Sequence, residues 1–123
     1  YGVTIWGRGI VDHHPGHKPL ENVPEHEHEG WYLGMTHGYY VDRGAEMFSS
    51  LIRPNEIEES QLDYLALGHV HVFSIIQHGK TIAVYPGSPN IGQGAKEMSV
   101  ALVDLDPELG VRVEKISLLP RAS

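Results

Sequence analysis

Two histidines two residues apart, in Gly68-His69-Val70-His71, follow the apolar run Asp63-Tyr64-Leu65-Ala66-Leu67. A run this short, bounded by turn residues, reads as a buried strand. In extended chain, residues two apart point to the same face, roughly 6.6 Å from each other at about 3.3 Å per residue. Imidazoles so placed suit one ligand to each of two neighbouring metal ions, which dinuclear hydrolytic centres hold about 3.5–4 Å apart. Neutral imidazole nitrogen suits Mn, Fe or Zn. The chain has nine histidines and no cysteine, so thiolate metal sites and disulfides are both excluded.

A third histidine has a similar setting. Trp31 to Thr36 reads as a strand with Trp31, Leu33 and Met35 on one face, and it ends in His37-Gly38. Ligands of open α/β sheets bind at the carboxyl ends of strands. The other histidines have plainer surroundings. Asp12 to Pro19 carries turn chemistry and little apolar content, and the loop continues from Glu21 to Gly30. His13, His14, His17, His26 and His28 therefore read as solvated loop residues. His78 reads as a turn residue.

The elements that must position these side chains follow from the pattern. Val3 to Trp6 reads as a strand loosened at its end by Gly7 and Gly9. Ala45 to Leu51 reads as a short helix. Asn55 is placed to cap a second helix, with Glu58 three residues on and Pro54 setting the entry. That helix delivers the chain into Asp63–Leu67. Phe73–Gln77 and Thr81–Tyr85 flank His78-Gly79-Lys80 as a hairpin, and Pro86-Gly87-Ser88-Pro89 stops the second strand. Ser99–Leu105 and Val111–Leu118 form another hairpin around a turn from Asp106 to Gly110. The fold class is α/β, in an α+β arrangement: the first half is α/β in character and the second half antiparallel β.

Composition narrows the function. A chain of 123 residues with 41% apolar content is one globular domain with a real core. No apolar stretch approaches membrane-span length, so no membrane partner is expected. The opening Tyr-Gly-Val-Thr-Ile-Trp has no leader character, so no secretory signal is expected and the cytoplasm is the default compartment. The net charge of −7, from nine Lys plus Arg against sixteen acids, argues against broad attraction to a nucleic-acid backbone. A phosphate substrate would need local cations to hold it.

Three features occur in order: a strand ending in His37-Gly38, the run Asp63 to His71 spelling DYLALGHVH, and the segment Tyr85 to Pro89 spelling YPGSP. Their order and spacing resemble the carboxyl-terminal half of the calcineurin-like metallophosphoesterases, most of all the SbcD-type DNA-repair exonuclease branch. The likeness runs from the GVTIWG strand to the last hairpin. It implies a partial calcineurin-like β-sandwich flanked by helices, a pair of divalent ions (Mn, Fe or Zn) and hydrolysis of a phosphodiester, with DNA as one candidate substrate. By the same likeness His37 and His69 are ligands of one metal, His71 is a ligand of the other, and Gly87 and Ser88 border the substrate. The implied reaction is in-line attack of an activated water on phosphorus, with a histidine protonating the leaving alkoxide. His13 and His14 are the candidates in this chain for that proton donor.

The family also uses an Asp-x-His motif, a Gly-Asp segment with a bridging aspartate, and a Gly-Asn-His segment, all upstream of the part matched. The last two do not occur here. Asp12-His13-His14 spells the first, but too little chain separates it from Thr36 for the intervening strand–helix units, and it reads as a chance match. Charge balance points the same way. Two divalent ions bring four positive charges, which three neutral imidazoles do not offset, so a bridging carboxylate is required. Residues 1–123 are expected to supply half of an active site, completed by upstream chain or another polypeptide, and to be inactive alone. Two other classes remain open: a cupin-type single-metal barrel and a non-catalytic assembly module that keeps the fold. The barrel wants a glutamate shortly after its second histidine, where Ile75 and Ile76 stand.

Overall fold

The computed structural model describes residues 2–44, 49–90 and 97–118. Its centre is a five-stranded sheet built from β1 (Val3–Arg8), β2 (Trp31–His37), β5 (Tyr64–Gly68), β6 (Ser74–His78) and β7 (Thr81–Tyr85) in the order β1-β2-β5-β7-β6. Strands β1, β2, β5 and β7 run parallel, and β6 closes the edge antiparallel to β7. Two short strands, β3 (Tyr39–Tyr40) and β4 (Leu51–Ile52), pair beside the sheet. Strands β8 (Ser99–Asp106) and β9 (Gly110–Ser117) form a separate antiparallel hairpin. The mixed α/β class and the carboxyl-terminal hairpins match expectation. The second half is less purely antiparallel than its pattern suggests, because β7 also joins β5 in parallel.

Helix α1 (Pro54–Ser60) begins two positions earlier than its sequence indicates. Arg53, not Asn55, is the residue before the first turn, and its amide donates to Glu56 Oε1 at 2.9 Å. Pro54 supplies a fixed φ at the first helical position, where no amide is needed. The helix stops at Gln61, whose left-handed backbone (φ 59°) closes the last turn. Ala45 to Phe48 of the other expected helix lie outside the described residues, and its last residue, Leu51, belongs to β4.

The two faces of the sheet differ. One carries Tyr32, Thr36, Leu65, Leu67, Ala83 and Tyr85, which pack with Leu20, Ile52, Ile57 and Leu62 into the core. The opposite face, where Trp31, Leu33 and Met35 point, is the more open one. Val3, Ile5, Met35 and Ile75 are 53%, 70%, 62% and 53% exposed there. The alternation along β2 was legible, but the core claims the Tyr32 side.

The connection from β1 to β2 has no regular structure, yet it is tied down. Pro19 and Leu20 are buried, and Pro19 O accepts from Thr36 Oγ1 at 3.4 Å. Pro24 O accepts from Tyr32 Oη at 2.7 Å, and Lys18 O accepts from Arg8 Nη1 at 3.1 Å. Asp12 O accepts from Ser50 Oγ at 2.5 Å. His26 stacks on Tyr32 with ring centroids 4.6 Å apart, so this histidine is not simply solvated. His78 likewise exceeds a turn role: it ends β6, and its Nε2 lies 2.7 Å from Tyr40 Oη.

Tyr85 links three segments at the end of the sheet. Its hydroxyl donates to Gly38 O at 2.7 Å and accepts from Tyr40 N at 2.8 Å. Burial at 2% exposure pushes its pKa up to about 12, because the phenolate would lose its hydration. A phenol whose folded value exceeds the unfolded value of about 10 stabilises the fold fully below that pH and loses the contribution as pH climbs to the folded value. Urea unfolding of the wild type should therefore move to lower midpoints between about pH 10 and 12. Tyr85→Phe should cost about 2–4 kcal/mol at neutral pH, from two orphaned backbone groups, and should flatten that alkaline fall. An unchanged alkaline slope in the variant would remove Tyr85 as its source.

Candidate metal centre

Because β1, β2, β5 and β7 are parallel, their carboxyl ends emerge together at one end of the sheet. The chain there continues into the His13 loop, His37, Gly68-His69 and Pro86-Gly87-Ser88. The register sets His37 of β2 opposite Gly68 of β5. The Gly68 amide plane is bare on the side of the ring: a Cβ at this position would lie 2.9 Å from His37 Nδ1. The neighbouring strand thus approaches the imidazole closely only because residue 68 is glycine.

Three imidazoles meet at this end. The ring centroids of His37 and His69 are 5.3 Å apart, those of His13 and His37 5.7 Å, and those of His13 and His69 6.0 Å. One nitrogen from each lies within 4.8 Å of the other two. Tyr39 flanks the group, its ring 5.7 Å from that of His69. No aspartate or glutamate among the described residues joins it. Of the predicted ligands the structure therefore brings His37 and His69 together, and it adds His13, which sequence alone puts in a solvated loop.

His71 stands outside that group. The extended-chain placement of His69 and His71 on one face does not hold, since β5 ends at Gly68 and His69 has φ 117°. The chain turns at His69, whose ring lies 5.3 Å from that of His37. His71 remains within electrostatic reach of His37. Burial holds the pKa of the His37 imidazole below its ordinary value, and the nearby His69, His13 and His71 rings lower it further. The ring is thereby kept in its neutral, lone-pair-bearing form.

His14 is exposed, and its Nδ1 accepts from the Gly16 amide at 2.9 Å. It belongs to its own turn and not to the cluster. Gly87 has φ 81°, and a Cβ there would lie 2.1 Å from Ser99 Oγ, so the position admits glycine alone. Ser88 Oγ donates to Asn90 O at 2.7 Å, and its carbonyl accepts from Ser99 N at 2.8 Å. Both residues join the sheet to the β8–β9 hairpin. A groove of about 550 Å³ runs from His37 past Gly7, Ile10, Met35 and Ala66. The larger cavity, about 840 Å³, lies between the crossover loop and α1 and touches none of the clustered histidines.

A positive φ at a non-glycine residue costs of the order of 1–3 kcal/mol. At an ordinary position glycine is less stable than alanine by about 0.5–1 kcal/mol. His69→Gly should reverse that order and melt above His69→Ala, both variants having lost the imidazole. Equal or lower melting of the glycine variant in a thermal scan would show that no strain is held at this residue.

The profile of the calcineurin-like phosphoesterase superfamily domain matches residues 7–108. No curated protein matches the chain. The matched span contains His13, His37, His69 and His71 and most of the ordered sheet. No helix among the described residues is long and apolar enough to cross a membrane. By the profile match over most of its length, the chain belongs to the calcineurin-like phosphoesterase superfamily, hydrolases of phosphate esters that use divalent metals.

Proposed function

We propose that this chain contributes the imidazole share of a two-metal phosphodiesterase centre, with His37 and His69 on one ion and His71 on the second. The observation that carries the proposal is the convergence of His37 and His69 at the shared carboxyl end of β2 and β5. The donor set fits such ions, since a half-buried imidazole held neutral offers nitrogen to Mn, Fe or Zn. When bound, divalent ions supply Lewis acidity, charge neutralisation at phosphoryl oxygens and a lowered water pKa.

The chain's own residues do the positioning. Gly68 and the turned backbone of His69 aim two imidazoles at one point. The groove beside His37, with its apolar lining, receives the organic part of the ester. Gly87 and Ser88 leave β7 at the same end and border the substrate. The bridging carboxylate is proposed to come from chain outside residues 1–123 or from another polypeptide, as for the carboxyl-terminal half of a catalytic domain in the SbcD-type exonuclease branch. Branch likeness points to DNA ends, whereas the net charge of −7 favours small phosphodiesters.

The test is hydrolysis of bis(p-nitrophenyl) phosphate and of linear duplex DNA with Mn²⁺, across salt concentrations, by a polypeptide carrying both this chain and the acidic segment. His69→Ala should lower turnover by about a thousandfold or more, as expected for loss of a metal ligand. The 123-residue chain alone should show no turnover. Activity that survives exhaustive chelation, or that His69→Ala leaves intact, would falsify the proposal. A rate on DNA that falls steeply with salt while the small diester does not respond would assign DNA as substrate.

A further inference from the structure

We infer that residues 1–123 close a metal site by themselves, in which His13, His37 and His69 hold a single divalent transition ion through three imidazoles. This rests on the phosphoesterase reading for His37 and His69 only; His13 and the independence from outside carboxylates are new. The three side chains reach the same point from separate elements: the loop after β1, the last residue of β2, and the residue following β5. Such convergence is uncommon for surface histidines, which favour solvation over mutual contact because protonated rings repel.

Geometry supports a site that needs little rearrangement. Tetrahedral coordination at about 2.0–2.1 Å brings three nitrogens to roughly 3.3 Å from one another. The donors already lie within 4.8 Å of each other. The remaining contraction falls to His13, the exposed member, which a side-chain rotation can swing inward. The loop is tied at Asp12, whose O is held by Ser50 Oγ, and His14 O closes a local turn by accepting from His17 N at 2.9 Å. His13 thus sits between an anchored residue and a closed turn. The turned backbone at His69 is a second observation: the chain carries a left-handed φ at the residue whose ring must face the other two.

The donor set also selects the ion. Three neutral nitrogens, with no carboxylate among the described residues, suit Zn²⁺, Co²⁺ or Ni²⁺ and leave at least one coordination position open. They offer little to Mg²⁺ or Ca²⁺, which demand oxygen ligands. The chain should therefore load zinc or cobalt without help and ignore magnesium.

The experiment is titration of the 123-residue chain with Co²⁺, followed by visible absorption and by Zn²⁺ competition, with circular dichroism to confirm folding. The wild type should take up one equivalent and develop the intense visible bands of tetrahedral cobalt. His13→Ala and His13→Gln should each bind about a hundredfold more weakly and lose those bands, as expected when one of three ligands is removed. His71→Ala should bind as the wild type does. Wild-type-like binding by both His13 variants, failure of the folded wild type to bind, or dependence on His71 in place of His13 would each overturn the inference. None of those results touches the phosphodiesterase proposal, which is read by turnover of the acid-completed protein.

Discussion

The parallel register that sets His37 against Gly68 governs the histidine end of the molecule. Around it the backbone is stitched across three segments. Gly38 N donates to Gly68 O at 3.2 Å, Gly38 O accepts from the buried Tyr85 hydroxyl, and that hydroxyl accepts from Tyr40 N. Each group in this chain of bonds is buried or half-buried, where an unmade bond costs more than a made one contributes. A one-residue slip of β5 against β2 would turn every side chain of the strand to the other face and remove the glycine from beside the ring. Core packing of Leu65 and Leu67 opposes such a slip. The position of the imidazoles is therefore enforced by the same alternation that buries the apolar side chains.

Much of this was legible in the sequence. The strand tips at His37 and Gly68 announced themselves through apolar runs ending in histidine and glycine, and Thr81–Tyr85 has the bounds its pattern indicates. What the pattern hid is of two kinds. The backbone at His69 is left-handed, and local composition gives no warning when the residue is not glycine or asparagine. The other is long-range. Nothing in Asp12-His13-His14-Pro15-Gly16 shows that Pro19 and Leu20 will pin the loop to the core and carry His13 to the cluster. Contacts between residues far apart in sequence decide both His13 and the open sheet face at Met35, and periodicity reports only local order. The helix start at Arg53 was missed for a smaller reason: the Glu56 carboxylate took the amide of Arg53, while Asn55 fell inside the first turn.

The cluster is electrostatically lopsided. Four imidazoles influence one another across the end of the sheet, and no carboxylate among the described residues joins the inner three. A second cation at this end would meet little negative charge from the protein. One cation on three lone pairs is tolerable; two need an anion between them. Among the described acids, Glu56 and Glu59 line the cavity by α1, and Asp63 pairs with Lys80 at 3.4 Å.

The tethered crossover between β1 and β2 has a thermodynamic consequence. Ordering a long irregular segment is costly in conformational entropy, on the order of 1–2 kcal/mol per backbone residue. Here the collapse of Pro19 and Leu20 onto the core, with the bonds from Thr36, Tyr32 and Arg8, carries that cost during folding. Any guest that draws on His13 thus meets a preorganised arm, and the free energy of capture is not spent on taming a random coil.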